Sequence, residues 1–546
     1  MIPLKTNNYN HMKIIQNIAQ KHLFSVFFYC SIFVNFSSYA QKEEQKQLNV
    51  LFIIVDDLND YEGAFNGHPQ VKTPNIDKLA KSAVTFTNAH SNCPVCSPSR
   101  NSLFTGVYPL QSKDFGWTKH FQQPVLKNNK TLFEYFGENG YHVIGSGKLL
   151  HVNKKEYWDE WGVDINNYGP IAFNGIEPVG HPSVPEPYRS IGPIDGSFAP
   201  LSDVPTFHDS ISKGNKSGWL YTRGKNDFLE YTDENNRDLM PDEMHAQWAA
   251  KRIKEMEAED SEKPFFMGVG FVRPHTPLYA PKRFFDMFPI DEIELSKFKV
   301  GDAEDTHYKD IYPANIKGLR FYRTLKESYG GDTELGLKHF LQAYLACIAF
   351  VDEQIGTVVD AVNNSKFKDN TIIVLVSDHG WQMGEKEYLF KNSPWEESTR
   401  IPYIIKTPES KAGTRINHPV SLIDIYPTLT DLCNLSGDNR KNEKGGNING
   451  FSLKPFLKSS KTKKWEGPNG ALTMIGNGLN KTEVFKQTYS YRTKDWRYIL
   501  YLDGNEELYH NKIDPFEWNN LAEEKKYSSK KNELKNEMTE LINKHK

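Results

Sequence analysis

The densest chemistry in the chain lies in Cys93-Pro94-Val95-Cys96-Ser97-Pro98-Ser99-Arg100. Ser97 suits a helix N-cap, Pro98 the first helical position and Gly106 the residue past the end, which places Cys96 just before a helix N-terminus. Free backbone N–H groups and the positive dipole end there favour an anion beside Cys96. Arg100, one helical turn on, brings a guanidinium to the same side. A bare C-x-x-C suggests a redox pair or half a zinc site, but no second C-x-x-C or H-x-x-x-H follows to complete a metal cage. The sharper pattern is C-x-P-x-R, made of Cys96, Pro98 and Arg100. Its bland alternative is a buried cysteine in front of an ordinary capped helix.

Other chemistry-bearing residues follow short apolar runs. The run 49–55 ends in Asp56-Asp57, and its Ile/Val content and length fit a strand buried on both faces of an α/β sheet. Carboxylates at that end sit where open α/β sheets bind ligands, although Asp-Asp is also an ordinary turn or cap. The strand expected over 371–376 ends in Asp378-His379, so the two pairs can meet across one crevice. After a strand over 141–144 comes Gly145-Ser146-Gly147-Lys148-Leu149-Leu150-His151, which lacks the G-x-x-x-x-G-K-[ST] phosphate loop. The run 264–271 ends in Arg273-Pro274-His275-Thr276-Pro277, where the prolines predict an extended chain around His275. Lys391 lies beyond a glycine-containing loop, and Glu397-Ser398-Thr399-Arg400-Ile401-Pro402 leads into a strand over 403–405.

In these segments, taken in order, the chain resembles the type I sulfatases and is most similar to their iduronate-2-sulfatase-like branch. The resemblance extends from about residue 49 to 522. It implies an α/β, alkaline-phosphatase-like fold with a large mixed sheet flanked by helices and a small C-terminal α+β subdomain. It also implies that Cys96 is oxidised to formylglycine by a maturation enzyme, the hydrated aldehyde being the nucleophile. Asp56, Asp57, Asp378 and His379, with the modified Cys96, are the implied metal ligands. A carboxylate majority favours a hard ion, Ca²⁺ first and Mg²⁺ second, over zinc. Lys148, His275 and Lys391 are implied sulfate contacts, with Arg100 and His151 orienting the formylglycine hydroxyls. His275 is the first choice for general acid and Lys391 the second. Arg273, Trp381, His181 and Arg223 are candidate substrate contacts, as are Arg189, His208, Trp219 and Tyr221. Two departures from the branch, Lys386 where it often has His and Leu389 where it often has Trp, bear on leaving-group contacts.

The elements that must position these groups are readable in outline. At 546 residues, with 13% aromatic and 25% charged residues, the chain has material for a large core. Residues 1–40 contain Lys5, Lys13 and Lys21, no acid and an apolar run over 23–36, as a signal peptide cleaved after Ala40 would. Its removal changes the formal charge from −3 to −6 and leaves an exported, periplasmic or secreted protein with no membrane span and no nucleic-acid surface. The cysteines Cys93, Cys96, Cys347 and Cys433 are too few for a disulfide framework, with pairing of Cys93 to Cys347 or Cys433 left open. Helices are expected over 131–139 from a Thr131/Glu134 capping box, and over 244–257, 337–362 and 421–432. An irregular Gly/Pro/aromatic insertion occupies 161–242 of a catalytic domain over 47–440, and a polar linker precedes the C-terminal subdomain over 450–546.

The function expected from these features is hydrolysis of sulfate esters on a sulfated carbohydrate, with a uronic-acid-containing algal polysaccharide or its oligosaccharides as first choice. Glycosaminoglycan sulfatase, arylsulfatase and choline sulfatase share the same core. Phosphonate or phosphate ester hydrolysis and calcium-dependent carbohydrate binding without catalysis are the further alternatives.

Overall fold

A computed structural model describes residues 47–165, 167–207, 216–221, 227–259, 262–297, 299–476 and 483–546. The expected signal segment lies outside them. The strands of the central sheet are β1 (Asn49–Val55), β2 (Val84–Phe86), β3 (His142–Gly147), β4 (Glu160–Trp161), β5 (Phe265–Phe271), β6 (Thr371–Ser377), β7 (Tyr403–Lys406) and β8 (Thr414–Ile416). Their spatial order is β8-β2-β7-β6-β1-β5-β3-β4. The pairs from β6 through β4 are parallel, whereas β7 runs antiparallel to β6, and β2 to β7.

β1 is buried at every position because both faces of the sheet are covered. Leu51, Ile53 and Val55 enter one apolar cluster, while Val50, Phe52 and Ile54 enter the other. The first layer contains α4 (Pro241–Ala258) and α6 (Thr333–Asn363), and the second α2 (Cys96–Thr105), α3 (Leu132–Glu138) and α7 (Ile425–Leu432). Each aliphatic side chain fully buried between layers contributes roughly 1.5–3 kcal/mol. α1 (Pro74–Lys81) opens on a proline as its sequence predicts, and the Thr131/Glu134 capping box is formed at α3.

Two local expectations need correcting. α2 begins at Cys96 with Val95 as N-cap, two residues earlier than expected, and Ser97 Oγ donates to Thr118 O at 2.8 Å instead of capping. The segment around His275 is a tight turn, with His275 N–H donating to Val272 O at 2.7 Å, not an extended chain. The insertion over 161–242 contains strands of two or three residues, including Ile171–Phe173, Gly218–Leu220 and Phe228–Leu229 in one small sheet. Strands so short leave no periodicity to read.

A second, antiparallel sheet contains β9 (Gly470–Ile475), β10 (Thr488–Thr493), β11 (Arg497–Leu500) and β12 (Glu506–Tyr509), covered by α8 (Ser528–His545). Met474 N donates to Asn92 O at 2.9 Å and Thr473 Oγ1 to Ser91 O at 2.6 Å. The sheet therefore docks on the segment entering Cys96. Cys93, Cys96, Cys347 and Cys433 are all buried free thiols, so neither open pairing is formed.

Candidate active site

Four adjacent parallel strands, β6, β1, β5 and β3, end at one edge and deliver chemistry there. Register pairs Val55 with Ser377, which sets Asp56-Asp57 beside Asp378-His379. Asp378 Oδ1 accepts from Asp57 N at 3.3 Å and from His379 N at 3.0 Å. Asp57 turns the chain with φ 60, a left-handed corner braced by Tyr344 Oη donating to Asp57 O at 2.7 Å. β3 leads to Lys148, whose backbone crosses Gly270 so closely that a Cβ there would meet Lys148 O at 2.1 Å. Gly270 is thus required for Lys148 to reach the cluster.

Cys96 Sγ lies 2.9 Å from Lys391 Nζ and 3.3 Å from His379 Nε2. Lys391 Nζ also donates to Asp57 Oδ1 at 2.7 Å, and Lys148 Nζ contacts Asp56 Oδ2 and, at 2.5 Å, Tyr168 Oη. Arg100 is completely buried: Nε donates to Asp378 Oδ2 at 2.8 Å, Nη2 to Asp56 Oδ1 at 3.3 Å, and Nη1 to the carbonyls of Lys148 and Leu149. Its donors clamp two carboxylates and the backbone after β3, a placement distinct from the expected contact with the Cys96 side chain. His275 Nδ1 meets Thr276 O at 2.6 Å, which leaves Nε2 facing Asp57 Oδ2 at 3.7 Å.

Charges this buried are set by their neighbours. Burial opposes ionisation of Asp56, yet Lys148, His275 and Arg100 hold it well below the usual carboxylate range. Burial dominates at Asp57 and pushes it up to about 8 despite Lys391 and His379. Burial also raises the Cys96 thiol and lowers His275, so the uncomplexed site favours a neutral imidazole there. Lys391 is held well above its ordinary value, against its own burial, by Asp57 and Cys96.

Above the cluster opens a cavity of about 560 Å³ lined by Trp117, His151, Tyr168, Ile171, Ile194, Asp195, His275, Lys317, Phe390 and Lys391. His151 stands on its wall with its ring 5.0 Å from that of Trp117. Tyr168, Asp195, Lys317 and Phe390 had no signal in sequence: the first two come from the insertion, and the last two from a helix start and a loop without distinguishing pattern.

Several expected substrate contacts stand behind the wall. His181 is fully buried, with its ring nitrogens against Ser183 Oγ and Asp203 O. Arg273 is buried and donates to Tyr279 O and Gly169 O. Trp381 is buried under Lys391, its ring 5.9 Å from Nζ, and packs on Phe340 and Phe390. Trp219 and Tyr221 belong to the core, and Arg189 pairs with Glu186 at 2.8 Å. His208 and Arg223 lie outside the described residues. Lys386 is buried on Asp302 at 2.9 Å, and Leu389 is buried in the core, so neither departure lines the cavity.

The residues fit a hard divalent cation. Ligand atoms of Asp56, Cys96, Asp378 and His379 lie within 4.8 Å of one another, as do those of Asp56, Asp57, Cys96 and His275. Asp57 Oδ2 is buried without a hydrogen-bond partner, a costly position for a carboxylate oxygen unless a cation completes it.

The Sulfatase family profile matches residues 48–435, and the profile of the C-terminal region of N-sulphoglucosamine sulphohydrolase matches residues 384–544. A sulfatase of Formosa agariphila is 33% identical over 501 residues, covering 91% of this chain and 87% of the relative. The iduronate 2-sulfatase of Mus musculus is 29% identical over 71% of this chain and 69% of its own. The ulvan-active sulfatase of Formosa agariphila is 26% identical over 90% and 81%. Among solved structures, the phosphonate monoester hydrolase of Agrobacterium radiobacter shares the fold, with TM-score 0.64 at 20% identity over 92% of this chain and 96% of that one.

Proposed function

The chain belongs to the sulfatase family, and we propose that its active site is the cluster around Cys96, acting on the sulfate esters of a uronic-acid-containing algal polysaccharide or its oligosaccharides. Hydrolysis of sulfate esters is the family's reaction, and the names of two relatives, an iduronate 2-sulfatase and an ulvan-active sulfatase, point to sulfated glycans. The observation that carries the site assignment is the convergence of Cys96, Lys391, Lys148 and the Asp56/Asp57/Asp378/His379 set on four neighbouring strand ends.

In this reading Cys96 is the precursor of formylglycine, whose hydrate supplies the nucleophilic oxygen. Asp56, Asp57, Asp378 and His379 would hold Ca²⁺, which would supply polarisation of the sulfate oxygens and favour the deprotonated nucleophile. Arg100 keeps Asp56 and Asp378 aimed at the ion through its bonds to both. Lys148 and Lys391 turn from their present carboxylate partners to the sulfate oxygens, matching two cations to a charge that grows on the leaving oxygen. His275, with Nδ1 donating to Thr276 O, presents Nε2 to that oxygen and delivers a proton from it as an imidazolium, the form that the negative charge of a bound sulfate ester favours over the neutral ring of the uncomplexed site; Lys391 is the alternative donor. His151 on the cavity wall assists the release of the aldehyde form. Trp117 and Phe390 offer apolar faces to sugar rings. The lysine-bearing amino terminus over 1–40 supports export of the enzyme to the periplasm or medium.

The test is peptide mass spectrometry across residue 96 in protein from a maturation-competent host, combined with sulfate release from ulvan, glycosaminoglycan and carrageenan oligosaccharides. Conversion of Cys96 with release from the uronate-containing ulvan fragments is expected. An intact thiol together with undiminished sulfate release would overturn the nucleophile assignment, and release only from other substrates would overturn the algal uronate reading.

A further inference from the structure

Helix α5 (Lys317–Ser328) joins the catalytic cavity to a second one. Its sequence places Lys317, Arg320, Arg323 and Lys326 at three-residue spacing, with Glu327 the only acid on the helix. Three residues fall short of a full turn, so such a row winds obliquely around a helix instead of running along one face. Lys317, at one end, lines the catalytic cavity, while Arg323 and Lys326 line a separate cavity of about 540 Å³. Between Lys317 and Lys326 the axis rises about 13 Å at ~1.5 Å per residue. The opposite side of the helix holds it in place: Gly318, Phe321 and Leu325 are buried, and Gly318 lies so close to the Tyr388 ring that a Cβ would meet it at 2.0 Å.

The charges of the row are largely uncommitted. Among the described residues Arg320 and Lys326 have no acidic partner, and Arg323 Nε reaches Glu327 only at 4.0 Å across an exposed gap. Lys317 shares Asp195 at 3.0 Å in an exposed pair, which is worth little against a stronger anion. Beside Arg323 and Lys326 the second cavity presents Tyr322 and Val300, the latter 88% exposed, as apolar faces next to the cations, and its two acids are already paired, Glu334 with Lys338 at 3.0 Å and Glu387 with Lys309. Alternating cations and apolar surface suit a chain of sulfated sugars, whose rings stack and whose substituents are anionic.

We propose that α5 is a track for the sulfated units of a polymeric substrate that lie beyond the unit in the catalytic cavity, with Arg323 and Lys326 forming a distal glycan-binding site. This rests on the sulfatase reading above and adds that the enzyme engages a run of sulfated units rather than a single sugar. The distal site raises affinity for the polymer without touching the reacting ester.

The test compares the full, matured enzyme with R323S/K326S and with a control, K461S/K463S, that removes two exposed lysines from the loop before β9. With ulvan as substrate, R323S/K326S is expected to lose roughly tenfold in kcat/KM at low salt, through KM, and the loss is expected to shrink in high salt. With a sulfated disaccharide cut from the same polymer it is expected to equal the parent. Equal losses on polymer and disaccharide, no loss on either, or the same loss in K461S/K463S would each overturn the track. Affinity electrophoresis through ulvan and through neutral dextran separates this proposal from the catalytic one. If the enzyme releases no sulfate, weaker retardation of R323S/K326S by ulvan alone still supports the track, and equal retardation of all three proteins sinks it.

Discussion

Two of the buried charge clusters among the described residues are built to opposite standards. One joins the C-terminal sheet to the body: Arg497 donates to Glu517 Oε1 at 2.5 Å, to Ser490 Oγ at 2.6 Å and to Pro394 O at 3.0 Å, and contacts Glu396. Glu396 also receives Arg492 at 3.0 Å, and Glu517 receives Glu396 N and Asn511. No side-chain N or O of Glu396, Arg497 or Glu517 is left without a partner. Although burial opposes its charge, Glu396 is held well below its ordinary range by Arg492 and Arg497. The other cluster, around Cys96, leaves Asp57 Oδ2 bare and that carboxyl near neutrality. The Arg497 cluster finds all its partners within the protein, whereas the bare Asp57 oxygen, set among other metal-ligand atoms, has a place for a partner from outside.

The largest effect that would break this contrast is expected at Arg497. Arg497→Met leaves Glu396 and Glu517 buried beside fewer cations and should cost about 3–5 kcal/mol of stability by urea denaturation. At a temperature where the variant remains folded, its kcat should stay near the parent's. A large fall in kcat with little change in stability would mean that the two clusters are not separable. Next comes Lys391→Ala, which should lower kcat roughly 10²–10³-fold, the cost of one well-placed donor to a developing oxyanion, with a melting temperature close to the parent's. Melting several degrees lower at near-normal turnover would instead place Lys391 among the structural charges. The smallest effect sharpens the comparison directly. Ca²⁺ at ~100 times its dissociation constant should stabilise the chelator-treated protein by about 2.7 kcal/mol, and Asp57→Asn should remove that gain. Mg²⁺ stabilising more strongly than Ca²⁺ at equal concentration would reassign the ion.

The sequence exposes the cluster around Cys96 far better than the one around Arg497, for reasons visible in particular residues. Asp56-Asp57 and Asp378-His379 follow runs of Ile, Val and Leu that can only be buried strands, and strand ends in a parallel sheet share an edge, so neighbours in space could be inferred. Arg100 was legible as lying near Cys96 because three to four residues make one helical turn, but whether its donors met Cys96 or the carboxylates depended on β3 and β6. Tyr168 and Asp195 come from an insertion whose strands are two or three residues long, and no periodicity says which way their side chains point. His181, Trp219 and Arg273 show the converse: residue types common in sugar sites were needed to fill a small core and to satisfy carbonyls. Lys386 lay among active-site motifs in sequence, yet its partners, Asp302 and the Glu517 carbonyl, come from distant segments. Glu396, Arg492, Arg497 and Glu517 carry no motif at all, since their pairing exists only once the second sheet docks.

Cys96 has no surface open to solvent, and this imposes a chronology. An enzyme converting its side chain has to reach the thiol before β6 supplies His379, before Lys391 arrives beside it, and before β9 closes on Asn92. Synthesis runs from the amino terminus, so the Cys96 segment emerges well ahead of those strands. At ~5–20 residues per second, β9 follows after a delay on the order of tens of seconds. Under the proposed conversion of Cys96, maturation is then a race with folding, and a chain that closes first keeps its thiol.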